Sequence, residues 1–143
     1  MFALTVPGQQ RYMAVISAFV WAVASEADLP HKKAYRMRLA ADEISTNIVN
    51  HAYGPCGDEC GPIQIVAQIT DHAVIVTIED IGNPFDMTEH PEPDDMHLPP
   101  EMRELGGLGV FLITRYVDDL RYERVNGRNI NRLTMWRNNE STG

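Results

Sequence analysis

Glu43, Asn47 and Asn50 fall at spacings of four and three in the run AADEISTNIVNHAYG, which Gly54 closes. If the run is helical, each residue advances about 100° around the axis. The three then form one stripe beside the apolar stripe of Met37, Ala41, Ile44 and Ile48, bordering the core rather than facing open water. A carboxylate and a carboxamide one turn apart suit a magnesium site. The amide oxygen is a hard neutral ligand, and the acid is left free to accept a proton or to hold a metal-bound water. The same residues would also make an ordinary solvated helix edge, so the spacing alone leaves both readings open.

Two other stretches carry chemistry. TIEDIGNPF ends a strand-like run on Asp80 and follows it with Gly82. Backbone can approach a flat ligand closely at such a glycine, and the carboxylate can accept from an exocyclic amine, although turn formation alone would also use these residues. LGGLGVFLITR places Gly106, Gly107 and Gly109 ahead of an apolar helical run. The free N–H groups and positive dipole end of such a helix suit phosphate, and a purely structural glycine turn is the competing reading.

The elements that must position these residues follow from periodicity. MFALTV reads as a first strand ended by Pro7 and Gly8, and Met13, Ile16, Val20 and Val23 recur at helical spacing within 10–25. A second helix begins after Pro30, carries the stripe of Met37, Ala41, Ile44 and Ile48, and runs to about Tyr53, with Gly54 and Pro55 closing it. IQIVAQIT and AVIVTIED, split by Asp71 and His72, predict an antiparallel hairpin. DLRYERV and NINRLTMWR, split by Asn126 and Gly127, predict another with a tight turn. Residues 83–105, rich in proline and acid and without either period, predict a long loop acting as a lid before the glycine turn and a third helix. The expected fold is α+β: a two-layer sandwich with helices on one face of a mixed, mostly antiparallel sheet, as a single domain over 1–143.

Composition narrows the function. A net charge of −8 with twelve scattered Lys and Arg argues against a nucleic-acid surface and favours basic protein partners. The apolar run around YMAVISAFVWAVAS is too short to span a bilayer, and MFALTVPGQQ lacks the basic start and apolar core of a signal peptide, so a cytoplasmic location is expected. Cys56 and Cys60 have C-x3-C spacing without a second ligand pair and are expected to be free thiols in a reducing compartment. His51 is expected to pack or cap rather than catalyse, and Trp21 is either core or partner surface.

In this order and with this lid, the motifs resemble the GHKL ATPase and kinase superfamily, specifically the anti-sigma-factor serine kinases of the RsbW type. DEISTNIVNHAYG stands where that family has its N box, EDIGNPFD its first glycine box, GGLGVFLITRYVDDLRYER its second, and NRLTMWR its closing strand. The resemblance implies a Bergerat ATP-binding fold with Mg2+. Glu43 would be the general base and Asn47 the magnesium ligand, with Asn50 beside them at the nucleotide. Asp80 would accept from the adenine amino group and Gly82 give the ring room. Gly106, Gly107, Leu108 and Gly109 would line the phosphates, and Thr134 would touch the adenine side through water. Pro84 replaces a glycine of the wider superfamily, as it often does in this branch, and Arg103 is an open candidate for reaching the γ-phosphate from the lid.

The implied activity is a kinase that phosphorylates serine or threonine on a STAS-domain anti-anti-sigma factor and sequesters a sigma factor when that antagonist is absent. A homodimer is implied as well. The alternative is a catalytically silent, nucleotide-gated binding module, against which Glu43 argues because a pure binder needs no base. The ATP-binding part of a sensor histidine kinase is set aside, because no helical hairpin with a phosphoacceptor histidine precedes the motifs.

Overall fold

The structure, a computed structural model, describes residues 1–89, 115 and 117–137. Five strands form one sheet: β1 (Phe2–Pro7), β2 (Pro62–Ile69), β3 (Ala73–Asp80), β4 (Asp119–Val125) and β5 (Arg128–Trp136). They lie side by side in the order β1-β2-β3-β5-β4, and every described pair is antiparallel. Two helices, α1 (Met13–Glu26) and α2 (His31–Asn47), cover one face.

Strand alternation determines what the helices meet. Ile63, Ile65 and Ala67 of β2, Val74, Val76 and Ile78 of β3, and Leu133 and Met135 of β5 are all buried against Ile16, Val20 and Val23 of α1 and Met37, Ala41 and Ile44 of α2. The predicted apolar stripes are therefore the core, with Met13 packed at its edge. Both predicted hairpins form. At the second, Asn126 and Gly127 take φ of 50° and 77°, the left-handed pair a two-residue turn requires. Arg137 ties the layers together, donating to the Ala27 carbonyl at 2.9 Å and the Thr70 carbonyl at 2.8 Å.

The second helix does reach Tyr53, but its last six residues, Ile48–Tyr53, wind as a π-helix. The wider turn takes more residues per revolution than the α-helix does. It also leaves the Ala52 carbonyl to accept from the Asn83 N–H at 2.8 Å, so the helix end is stitched to the loop after β3. Gly54 closes it at φ 69°.

One expectation is corrected. Cys56 and Cys60 are a disulfide pair, with Cα atoms 5.1 Å apart, rather than free thiols. The physical reason is the tight 3-10 turn Gly57–Glu59 between them, entered through Gly57 at φ 55°, which folds the chain back on itself. The later part of the expected lid, the glycine turn and the third helix lie outside the described residues.

Candidate functional site

The stripe on α2 is graded rather than uniform. Glu43 is half-buried, Asn47 is only 3% exposed, and Asn50 faces solvent. The π turn accounts for Asn50: it begins at Ile48, so a residue three positions beyond Asn47 no longer returns to the face an α-helix would give it. Burial raises the Glu43 carboxyl above its ordinary 4.5, and the neighbouring Asp42 carboxylate pushes it the same way. Burial also raises Asp42, against the opposing effects of the Ser17 hydroxyl, which donates to it at 3.3 Å, and the Arg38 guanidinium.

Asp80 ends β3 on the helix-covered face and is 1% exposed. Its Oδ1 accepts from the Gly82 N–H at 2.9 Å and from Asn129 Nδ2 at 2.8 Å. Its Oδ2 is buried and has no hydrogen-bond partner among the described residues. Burial raises the Asp80 pKa, with Asn129, Gly82 and Arg124 pulling it back. A carboxylate half-satisfied by its own protein and half-orphaned is an acceptor waiting for a donor.

A narrow cavity joins Asp80 to Asn47. Its walls are Ile44 of α2, Ile48 and Ala52 of the π-helix, and Phe85 and Met87 of the loop after β3, and Asn131 of β5 supplies a third polar group. As folded it holds about 10 Å3 of room for a water-sized sphere, so a planar ring enters only when side chains of the loop move. Met87 is the first of these, because its Sδ lies 3.9 Å from Asn47 Nδ2. His51 stacks on Phe85 with centroids 4.7 Å apart, the packing role expected of it.

Asn47 and Asp80 are thus brought together, with Glu43 one turn away from Asn47. Asn50 and Thr134 are not. Thr134 lies opposite Ile75 of β3, five positions along β5 from Asn129, the partner of Asp80. At about 3.4 Å per residue this is roughly 17 Å, and the odd separation puts Thr134 on the other face of the sheet. Gly82 stands where the structure leaves no room for a side chain. A Cβ there would meet the Ala52 carbonyl oxygen at 2.6 Å, so its missing side chain lets the loop lie against the π-helix Ile48–Tyr53. Gly106, Gly107, Leu108, Gly109 and Arg103 lie outside the described residues.

Sequence reasoning missed Asn129. Its Nδ2 donates to Asp80 and to the Asn83 carbonyl at 2.8 Å. Its Oδ1 accepts from Tyr122 at 2.5 Å and from Arg124 Nη1 at 3.1 Å. Arg124 also holds the Gly82 carbonyl at 2.8 Å. A signal was available: Asn129 and Asn131 share the strand parity of Leu133 and Met135, which marks two polar residues on an apolar face. Tyr53 is a second such hub, donating to the Pro62 carbonyl at 2.5 Å and accepting from the Ile81 N–H at 3.1 Å. Trp21 is half-buried: it packs against the core and also lines a groove of about 540 Å3 with His31, Tyr35 and Arg38.

The donor set fits a magnesium ion only as a shared site. No cluster of three or more His, Cys, Asp or Glu suited to a metal occurs among the described residues. One carboxamide oxygen beside one half-buried carboxylate matches an ion that keeps its waters and takes its other ligands from phosphate.

Comparison with known proteins agrees with this fold. Residues 6–136 match the family model described as the histidine kinase-like ATPase domain. A serine-protein kinase RsbW of Listeria monocytogenes is 30% identical over 121 residues, covering 82% of this chain and 76% of the relative. One from Bacillus thuringiensis is 29% identical over 120 residues, covering 82% and 73%. The structure of the RsbU and RsbW domains of a Mycobacterium tuberculosis protein superposes with a TM-score of 0.63 at 16% identity, over 94% of this chain and 32% of that one. The SiaB-SiaC complex of Pseudomonas aeruginosa contains a chain with a TM-score of 0.54 at 14% identity, covering 95% and 89%. At those identities the two structures speak for the fold alone.

Proposed function

The chain belongs to the histidine kinase-like ATPase family, in the branch of the serine-protein kinases RsbW, and from that premise we propose that it transfers the γ-phosphoryl group of ATP to a serine or threonine. The proposed acceptor is a STAS-domain anti-anti-sigma factor. The observation that carries the reading is Asp80: a buried carboxylate at a strand end, one oxygen fixed by Asn129 and Gly82 and the other without a partner, in a cavity shared with Asn47. That arrangement suits the exocyclic amine of adenine at one end and the phosphates toward α2.

In this reading Asp80 orients the nucleotide, and Glu43 accepts the proton of the attacking hydroxyl as the new O–P bond forms and ADP leaves. Its raised pKa brings it closer to the working range of a general base. Asn47 would hold Mg2+, whose charge neutralises the phosphates. The rest is positioning, which is most of what phosphoryl transfer asks of a protein. The glycine box at 106–109 is proposed to line the phosphates, and a homodimer that releases or holds a sigma factor according to the antagonist's phosphorylation completes the switch.

The test uses this protein and its Glu43→Ala variant with Mg-ATP and the STAS-domain proteins of its own organism, read by intact-mass spectrometry. A phosphate gained by one STAS protein with the wild type alone is the expected outcome. No gain of mass, with ATP binding confirmed in parallel, would leave the nucleotide-gated binding module as the better reading.

A further inference from the structure

The Cys56–Cys60 disulfide joins residues only four positions apart, around the 3-10 turn Gly57–Glu59, so it ties no distant parts of the fold together. Neither cysteine belongs to the hydrophobic core. Both are half-buried and line a surface groove of about 430 Å3 with Gly8, Gln9, Arg11 and Val49, where a thiol reagent can reach them. A cross-link so placed orders its own loop first. That loop is pinned to the chain between β1 and α1: Gln9 Nε2 donates to the Gly57 carbonyl at 2.9 Å, and the Gly8 N–H to the Gly61 carbonyl at 2.8 Å.

The loop in turn holds Tyr53 from both sides. Before it, the Gly54 N–H closes onto the Val49 carbonyl at 3.0 Å. After it, Gly61 packs so closely that a Cβ there would stand 2.8 Å from the Tyr53 hydroxyl oxygen. That hydroxyl donates to the Pro62 carbonyl and accepts from the Ile81 N–H at 3.1 Å, while the neighbouring Ala52 carbonyl accepts from the Asn83 N–H at 2.8 Å. Ile81 and Asn83 flank Gly82, directly after Asp80. A continuous path of contacts therefore runs from the exposed disulfide to the segment that borders the candidate site.

We propose that Cys56 and Cys60 are a thiol–disulfide exchange site whose redox state sets the order of residues 81–83. Resting on the reading that the adjoining cavity takes an adenine nucleotide, the same state sets the affinity for it. The reductant is an external dithiol. One of its thiolates attacks a sulfur of the pair, breaking the Cys56–Cys60 bond and forming a mixed disulfide, and its second thiol then displaces the protein sulfur. Two electrons pass to the pair, two protons end on the Cys56 and Cys60 thiols, and the reductant leaves as a disulfide. A disulfide reagent runs the exchange backward. In the bonded state the loop keeps Tyr53 against Pro62 and Ile81. In the dithiol state backbone bonds alone hold the turn, and residues 81–83 open more often. A nucleotide must then order that segment as it binds, which weakens its apparent affinity by the fraction of molecules still closed.

The chain has no other cysteine, so alkylation read by intact mass counts this pair directly. The full chain is expected to take no label after oxidised dithiothreitol and two after dithiothreitol. Amide hydrogen exchange then compares the two states without any ligand. Ile81 and Asn83 are expected to exchange at least about threefold faster in the dithiol state, with Val76 and Ile78 inside β3 unchanged. Calorimetric titration is expected to show ADP bound at least about threefold more weakly in that state. The double variant Cys56→Ser, Cys60→Ser is expected to match the dithiol state with or without reductant. Two labels after the oxidant would overturn the exchange site. Exchange at Ile81 and Asn83 that does not change, or that quickens no more than inside β3, would overturn the coupling. Changed exchange with equal ADP affinity in the two states would overturn the control of the nucleotide. Failure to bind ADP in either state would overturn the nucleotide reading instead, and the exchange rates would still decide whether the disulfide orders residues 81–83.

Discussion

With one carboxylate oxygen buried and unpaired among the described residues, Asp80 costs the fold stability and is proposed to serve the ligand instead. Burial holds its pKa above 3.8, so the folded chain keeps this proton to higher pH than the unfolded chain does. As pH rises from 3.8 the unfolded state ionises first, and the folded state loses relative stability until the raised pKa is passed. Asp80→Asn removes that penalty. It is expected to melt higher than the wild type at pH 7, with the difference fading as pH falls toward 3.8, and to bind ADP at least about tenfold more weakly. Scanning fluorimetry across pH and calorimetry read the two effects separately, and a lower midpoint at pH 7 would mean that the charge supports the fold. Glu43 makes a parallel case. Glu43→Gln is expected to lower phosphotransfer about 10²–10⁴-fold with nucleotide binding retained. If Glu43 is the base, as proposed, it works ionised, so the rate should fall as pH drops through its raised pKa, and Asp42→Asn, by removing the adjacent negative charge, should move that acid limb to lower pH. An unmoved limb would dissociate the limb from Glu43.

The elements meet at one corner, where the π turn, the end of β3 and the start of β5 converge. Gly82→Ala would press a Cβ onto the Ala52 carbonyl at 2.6 Å. Overpacking of this kind costs about 1–3 kcal/mol, and urea unfolding is expected to show it as a lower midpoint at unchanged slope. Asn129→Ala abandons its bonds to Asp80, Asn83, Tyr122 and Arg124 together. A loss of about 3 kcal/mol is expected, along with faster amide exchange at Gly82 and Phe85, whose N–H groups bond to Asp80 and Asn129. The corner was only partly legible. Alternation along RNINRLTMW marks Asn129 and Asn131 as inward, but nothing local says that Asn129 stands opposite Asp80, or that Thr134, in the matching part of the closing strand, falls on the far face. The π turn was hidden as well, since its apolar spacing over these few residues is read equally well as α-helix.

As a whole molecule the two layers share one core running from Val6 of β1 to Met135 of β5, so the described fold is expected to unfold in a single step. Calorimetric and van't Hoff enthalpies should agree, and ADP at a hundred times its Kd should add about 2.7 kcal/mol, where two separate transitions would divide the domain. Sequence by itself determined the parts: period two and period 3.6 named the strands and helices, Asn126 and Gly127 set a turn, and Glu43, Asn47 and Asp80 stood out by chemistry and spacing. These are properties of neighbours along the chain, carried by steric and hydrophobic rules that act within a few residues. Tertiary structure alone decided the rest. It placed Asn131 beside Asp80, gave Gly82 to the Ala52 carbonyl, turned Thr134 away and joined Cys56 to Cys60. Most of those outcomes depend on strand register and on close approach between segments thirty or more residues apart, where a shift of one position reverses every face.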